Sequence, residues 1–153
     1  MRRFLAVFFA FVLLGACSQG QPQSPLPAAR ISINASSGPV TFQVEIAADE
    51  ASRQRGLMGR TELAADAGML FDFHRQVPVA FWMKDTPLPL DMLFIRADGT
   101  ISTIVTNTTP FSEKPVPSRE PVQAVLEING GRSDELGIKP GDKVHAAIFG
   151  NDK

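Results

Sequence analysis

The residues best suited to chemistry crowd one stretch of the chain: Trp82, Lys84, Asp85, Thr86 and Asp91. On a strand, Trp82 and Lys84 point to one face while Phe81 and Met83 point to the other. An exposed ring beside a cation and carboxylates can hold a sugar, the ring packing on C–H faces while the charges bond hydroxyls. The competing reading is structural: Trp82 belongs to the core, Lys84 pairs with Asp91 or Glu127, and Asp85-Thr86-Pro87 only shapes a turn.

Glu127 interrupts an otherwise apolar run from Val122 to Ile128. A carboxylate there needs the solvent face or a cation, because an unpaired buried charge is costly. Arg55 is the expected partner. Asp85 with Asp91 or Glu127 could form an acid–base pair if two carboxyls faced one cleft about 5–10 Å apart.

Other chemistries find less support. His74 and His145 lie far apart in sequence without a metal-site spacing, and no G-x-S-x-G nucleophile elbow is present. Met58, Met69, Met83 and Met92 could bind a soft metal, but each sits in an apolar segment where a thioether fills a core. No metal or other cofactor is expected.

Cys17 is the one cysteine. Met1-Arg2-Arg3 followed by the apolar run Phe4 to Leu14 has the layout of a secretory signal over residues 1–16. That run is shorter than the roughly 20 residues a membrane span requires. Leu14-Gly15-Ala16-Cys17 resembles a lipobox, at which bacterial lipoproteins are diacylated on the cysteine and cut before it. Such acyl chains anchor a protein to the membrane without spanning it. Ser18, being non-acidic, resembles the residue that follows the cysteine in lipoproteins sent to the outer membrane, so the expected place is facing the periplasm, on the outer membrane if the host has one. Residues 17–30, with Pro22, Pro25 and Pro27, read as the lipidated N-terminus and an extended tether.

The elements that must position the polar cluster begin at Ile31 and form one domain through residue 153. Val40, Phe42, Val44 and Ile46 alternate with Thr41, Gln43 and Glu45, the period of a half-buried strand. Further strands are expected at 31–35, 69–73, 79–83, 92–96, 100–106, 122–128 and 143–149, with tight turns at Asp98-Gly99 and Pro140-Gly141. Asp49 should cap a short helix over 50–58, and Ser133 another through Leu136, stopped by Gly137. The expected fold is mostly β, a mainly antiparallel sandwich or barrel with one or two short helices.

Three segments carry most of the sequence's individuality: Arg55-Gly56-Leu57-Met58-Gly59-Arg60, Gly68-Met69-Leu70-Phe71-Asp72-Phe73 and the stretch from Phe81 to Ile95. In this order, with Val125-Leu126-Glu127-Ile128 and the segment from Gly137 to Val144, they closely resemble the family called domain of unknown function 192. The resemblance runs from about Val44 to Phe149 and implies a compact β-rich fold with no established reaction. Relatives usually carry asparagine where this chain has Asp85, and often glutamate where it has Ser52.

The 153 residues are 44% hydrophobic and 20% charged, an ordinary globular balance. Without residues 1–16 the chain keeps 13 Lys+Arg against 16 Asp+Glu, a net charge of −3. Its cations are scattered, so no nucleic-acid partner is expected. The expectation is a membrane-tethered periplasmic domain that binds an envelope component such as a glycan without catalysis, over Trp82, Lys84, Asp85, Asp91, Glu127 and Arg55. The alternatives are a carboxylate-dependent enzyme acting on a glycan and an assembly factor of the cell envelope.

Overall fold

The structure, a computed structural model, describes residues 25–152. Cys17, the signal segment and most of the expected tether lie outside the described residues.

Strands β1 (Ala28–Ala35) and β2 (Gly38–Ala47) form an antiparallel hairpin. Along β2 the alternation expected from sequence buries Phe42 and Val44 and leaves Thr41 and Gln43 exposed. β1 starts at Ala28, earlier than expected, because Ala28 pairs with Glu45 across the hairpin. Helix α1 (Glu50–Arg55) then crosses over to β3 (Ala67–Val77), which runs parallel to β2. β4 (Ala80–Phe81), β5 (Leu90–Ile95), β6 (Ile101–Val105), β7 (Val116–Pro117) and β8 (Val122–Asn129) follow. Helix α2 (Arg132–Leu136) and β9 (Lys143–His145) complete the order.

Seven strands make one sheet in the order β6-β5-β8-β3-β2-β1-β9, with β2 and β3 its parallel pair. The sheet curls into a half-barrel whose edges meet where Thr100 bridges Lys143. There the Val144 N–H donates to the Gly99 carbonyl at 2.8 Å. Gly99 has φ +84°, and a Cβ on it would lie 2.5 Å from the Val144 oxygen, so turn shape and close approach both demand glycine. The fold that forms is the expected one, mostly antiparallel β, and of the one or two short helices expected it has two.

One apolar cluster fills the concave side, built from Ile33, Phe42, Val44, Leu70, Leu93, Leu126 and Ile128 among others. A second covers the opposite face, with Met69, Phe71, Met83, Met92, Phe94 and Val125 under α1 and the segment that carries β4. The site lies over this second cluster.

Several elements are shorter than expected. Val79–Met83 yields only the two residues of β4, paired with β7, because the Met83 N–H turns to the Ser112 carbonyl and leaves the ladder. The last strand stops at His145, where a 3-10 turn over Ala147–Phe149 takes over and the Asn151 side chain bonds Ala146 N and Val144 O. α1 ends at Arg55, since Gly56 takes φ +48°.

The caps are informative. Asp49 accepts the Ser52 N–H at 2.8 Å, while the Ser52 hydroxyl oxygen accepts the Asp49 N–H, a reciprocal capping box. Ser52 fills the reciprocal role with a short hydroxyl side chain. α2 has no side-chain cap of its own, contrary to the expectation for Ser133. Its free N–H groups are met by a carboxylate from another strand.

Candidate functional site at Trp82 and Glu127

Phe81 anchors the site. Its ring sits edge-on to Phe71 at 4.9 Å and to Phe73 and Phe94 at 6.3 Å. Such pairs each contribute about 0.5–1.5 kcal/mol beyond burial. Met83 is buried, with the Thr108 hydroxyl 3.1 Å from its sulfur. With Phe81 and Met83 turned inward, Trp82 between them is directed out and is 47% exposed. The Lys84 ammonium lies 5.3 Å from the Trp82 ring centroid, a cation–π contact.

Trp82 is therefore not a core residue. It borders a groove of about 720 Å³ with Lys84, Asp85, Phe81, Phe73 and Arg53. Arg53 covers the Phe73 ring at 5.4 Å, and its Nη1 is held by the Asp72 carbonyl at 2.9 Å and by the Ala48 carbonyl. Glu50 and Gln54 extend the polar wall from the same helix and bond each other at 2.9 Å. The sequence reading missed this wall, although the spacing of Glu50, Arg53 and Gln54 places them on one helical face.

Asp85 lines the groove in a left-handed conformation, φ +51°. Its carbonyl accepts the Gly59 N–H at 2.8 Å, locking the Arg55–Arg60 loop to the Trp82 segment. Aspartate tolerates this backbone more readily than most residues do.

Beside the groove, a recess of about 40 Å³ is bordered by Arg55, Met58, Phe71, Trp82, Thr86 and Glu127. Each distinctive segment of the sequence contributes to it. Glu127 is only 4% exposed and stands in register with Met69 on β3 and Met92 on β5. Burial pushes its carboxyl up to about 8.

The expected Arg55–Glu127 pair is not made. Among the described residues no ion pair or hydrogen bond joins them, although both border the recess. The fold accommodates Glu127 by keeping the proton on, which removes the need for a counter-charge.

Asp91 does not belong to this site. It pairs with Ile128 across β5 and β8, so it leaves the sheet on the face opposite Glu127. Fully buried, it accepts from Asn107 N at 2.9 Å, Gly131 N at 2.8 Å, Ser133 N at 2.8 Å and the Ser133 hydroxyl at 2.5 Å. It is the carboxylate that caps α2, so the expected local cap arrives from a distant strand. Asp91 therefore shares no cleft with Asp85, and the expected Asp85–Asp91 acid–base pair is not formed.

Among the described residues no group of three His, Cys, Asp or Glu side chains could hold a metal. His74 lies 3.0 Å from Asp72, and His145 contacts Asn34 and the Asn151 carbonyl. No described helix is long and apolar enough to cross a membrane.

Residues 31–146 match the family model for domain of unknown function 192, described as an uncharacterized ACR. The chain belongs to this family. The domain of unknown function 192 fold is shared with solved structures. One is a protein from Sinorhizobium meliloti 1021, assigned provisionally as a transcription regulator: it is 47% identical, with a TM-score of 0.80 over 83% of this chain and 99% of that one. Another is a protein of unknown function from Novosphingobium aromaticivorans DSM 12444, 42% identical, with a TM-score of 0.79 over 82% and 89% of the two chains. No curated protein matches the chain.

Proposed function

We propose that this member of the family is an exported lipoprotein, anchored through Cys17, which binds an envelope glycan at the Trp82 groove without transforming it. The observation that carries the reading is the half-exposed Trp82 ring with the Lys84 ammonium over it, on the wall of a groove about 720 Å³ in volume. A sugar's C–H face fits the ring, and its hydroxyls find Lys84, Asp85, Arg53 and Glu50. The groove mixes both signs of charge, which suits a neutral polyhydroxylated ligand better than a polyanion such as nucleic acid. The lipid anchor rests on the lipobox-like sequence, and it would keep the groove within reach of the envelope.

Trp82 is the one tryptophan, so its emission reports on the groove alone. The full chain in detergent micelles, titrated with envelope polysaccharide fragments, should give a saturable change in that emission. Calorimetry on Trp82→Ala should show affinity reduced at least tenfold, about 1.4 kcal/mol. The variant should keep the fold, since half of the side chain already faces water. Absence of binding by every fragment would sink the glycan reading, and co-purification of a protein without any sugar response would favour an assembly role.

A further inference from the structure

We propose that Glu127 is the polar anchor of a ligand subsite, in which one uncharged hydroxyl or amide group of the molecule bound at Trp82 enters the recess and hydrogen-bonds the Glu127 carboxyl. This rests on the glycan reading of the groove and deepens it.

The geometry isolates the carboxyl and aims it at the recess. Every fully enclosed side-chain polar atom among the described residues has a partner. Glu127 makes no hydrogen bond among them and is more than nine-tenths buried, so its carboxyl is not fully enclosed, and the recess is the cavity it lines. Met69 and Met92 flank it on the neighbouring strands and offer only thioethers. The volume, about 40 Å³, exceeds the roughly 10–15 Å³ needed to hold one water, so it admits a group of that size. Trp82 borders both the groove and the recess, so a ligand stacked on the ring can direct a substituent inward.

The surroundings disfavour a cation. Leu57, Phe71 and Phe81 line the recess, and the charged side chains at its border are Arg53 and Arg55, both from α1. Arg53 is held away by the Ala48 and Asp72 carbonyls. β3 and β5 present methionines to Glu127, and Trp82 and Thr86 carry no charge. A cation would meet the Arg55 guanidinium with no ionised carboxylate to offset it. With its proton retained to about pH 8, Glu127 can donate to a carbonyl or hydroxyl oxygen. Arg55 has donors to spare for the same group.

The test combines binding and carbon-13 NMR on the full chain in micelles. N-acetylglucosamine oligomers serve as the saccharide probe, N-methylacetamide and ethylene glycol as small neutral probes, and methylammonium as the charged control. Oligomer affinity of the wild type should hold steady to about pH 8 and then fall, by up to tenfold per pH unit. Glu127→Gln should bind without that fall, and Glu127→Leu should bind at least tenfold more weakly than the wild type below pH 8. The neutral probes should move the Glu127 carboxyl resonance, and methylammonium should not.

Oligomer binding that is identical in wild type, Glu127→Gln and Glu127→Leu at every pH overturns the subsite and leaves the glycan reading standing. Movement of the carboxyl resonance by the small neutral probes, with no response to oligomers, keeps the subsite and counts against the glycan. A resonance unmoved by every probe, or moved only by methylammonium, overturns the subsite.

Discussion

Asp91 and Glu127 lie on neighbouring strands one register step apart, yet their side chains leave the sheet on opposite faces. Met92 faces Glu127 and Ile128 faces Asp91, so the pleat alone separates the two carboxyls. Each face then solves the problem of a buried acid differently. Four donors converge on Asp91, whereas Glu127 meets apolar neighbours and a small recess.

Asp91→Ala should be the more damaging change. It strips the Gly131 and Ser133 N–H groups at the start of α2, and the Asn107 N–H, of their acceptor. Each buried donor left without an acceptor costs about 1–3 kcal/mol. Urea unfolding should show a lower midpoint of that size, and hydrogen exchange at Ser133 and Asn107 should accelerate. A loss below 1 kcal/mol would mean that Asp91 does not hold α2.

Glu127 should make stability fall as pH rises. Below about pH 4.5 its carboxyl is protonated in both folded and unfolded chains. Between 4.5 and about 8 the unfolded chain releases the proton while the fold retains it, so the unfolded state gains and stability declines, levelling off above 8. The decline amounts to roughly several kcal/mol at about 1.4 kcal/mol per pH unit. Glu127→Gln lacks this component, so its advantage over the wild type should grow from pH 4.5 to 8 in denaturant titrations. Parallel stability curves across that window would contradict the raised carboxyl.

Closure of the half-barrel should depend on Gly99. Alanine there would need a left-handed backbone and would drive its Cβ into the Val144 oxygen. Together these cost about 2–4 kcal/mol. The Val144 amide, which donates to Gly99, should lose exchange protection ahead of the amides between β3 and β8. Unchanged protection at Val144 would show that the edges hold together without this turn.

Anchoring should depend on Cys17. Wild-type chain expressed in a bacterial host should incorporate labelled palmitate and partition into detergent, because each buried methylene contributes about 0.8 kcal/mol. Cys17→Ser should lose the label and move to the aqueous phase. Retained label in that variant would show lipidation elsewhere or none at this site.

The sequence by itself determined the fold class, because strand alternation such as that of Val40 to Ile46 and turn chemistry such as Asp98-Gly99 are local properties. It also singled out the segments that surround the recess, and it marked Glu127 as a carboxyl out of place in an apolar run. Tertiary structure decided what those residues do. Trp82 faces outward because Phe81 is gripped by three other aromatic rings. Asp91 became a helix cap, and Glu127 an unpaired acid, through strand register: one residue's step along β5 and β8 chooses the face, and only long-range pairing sets that step.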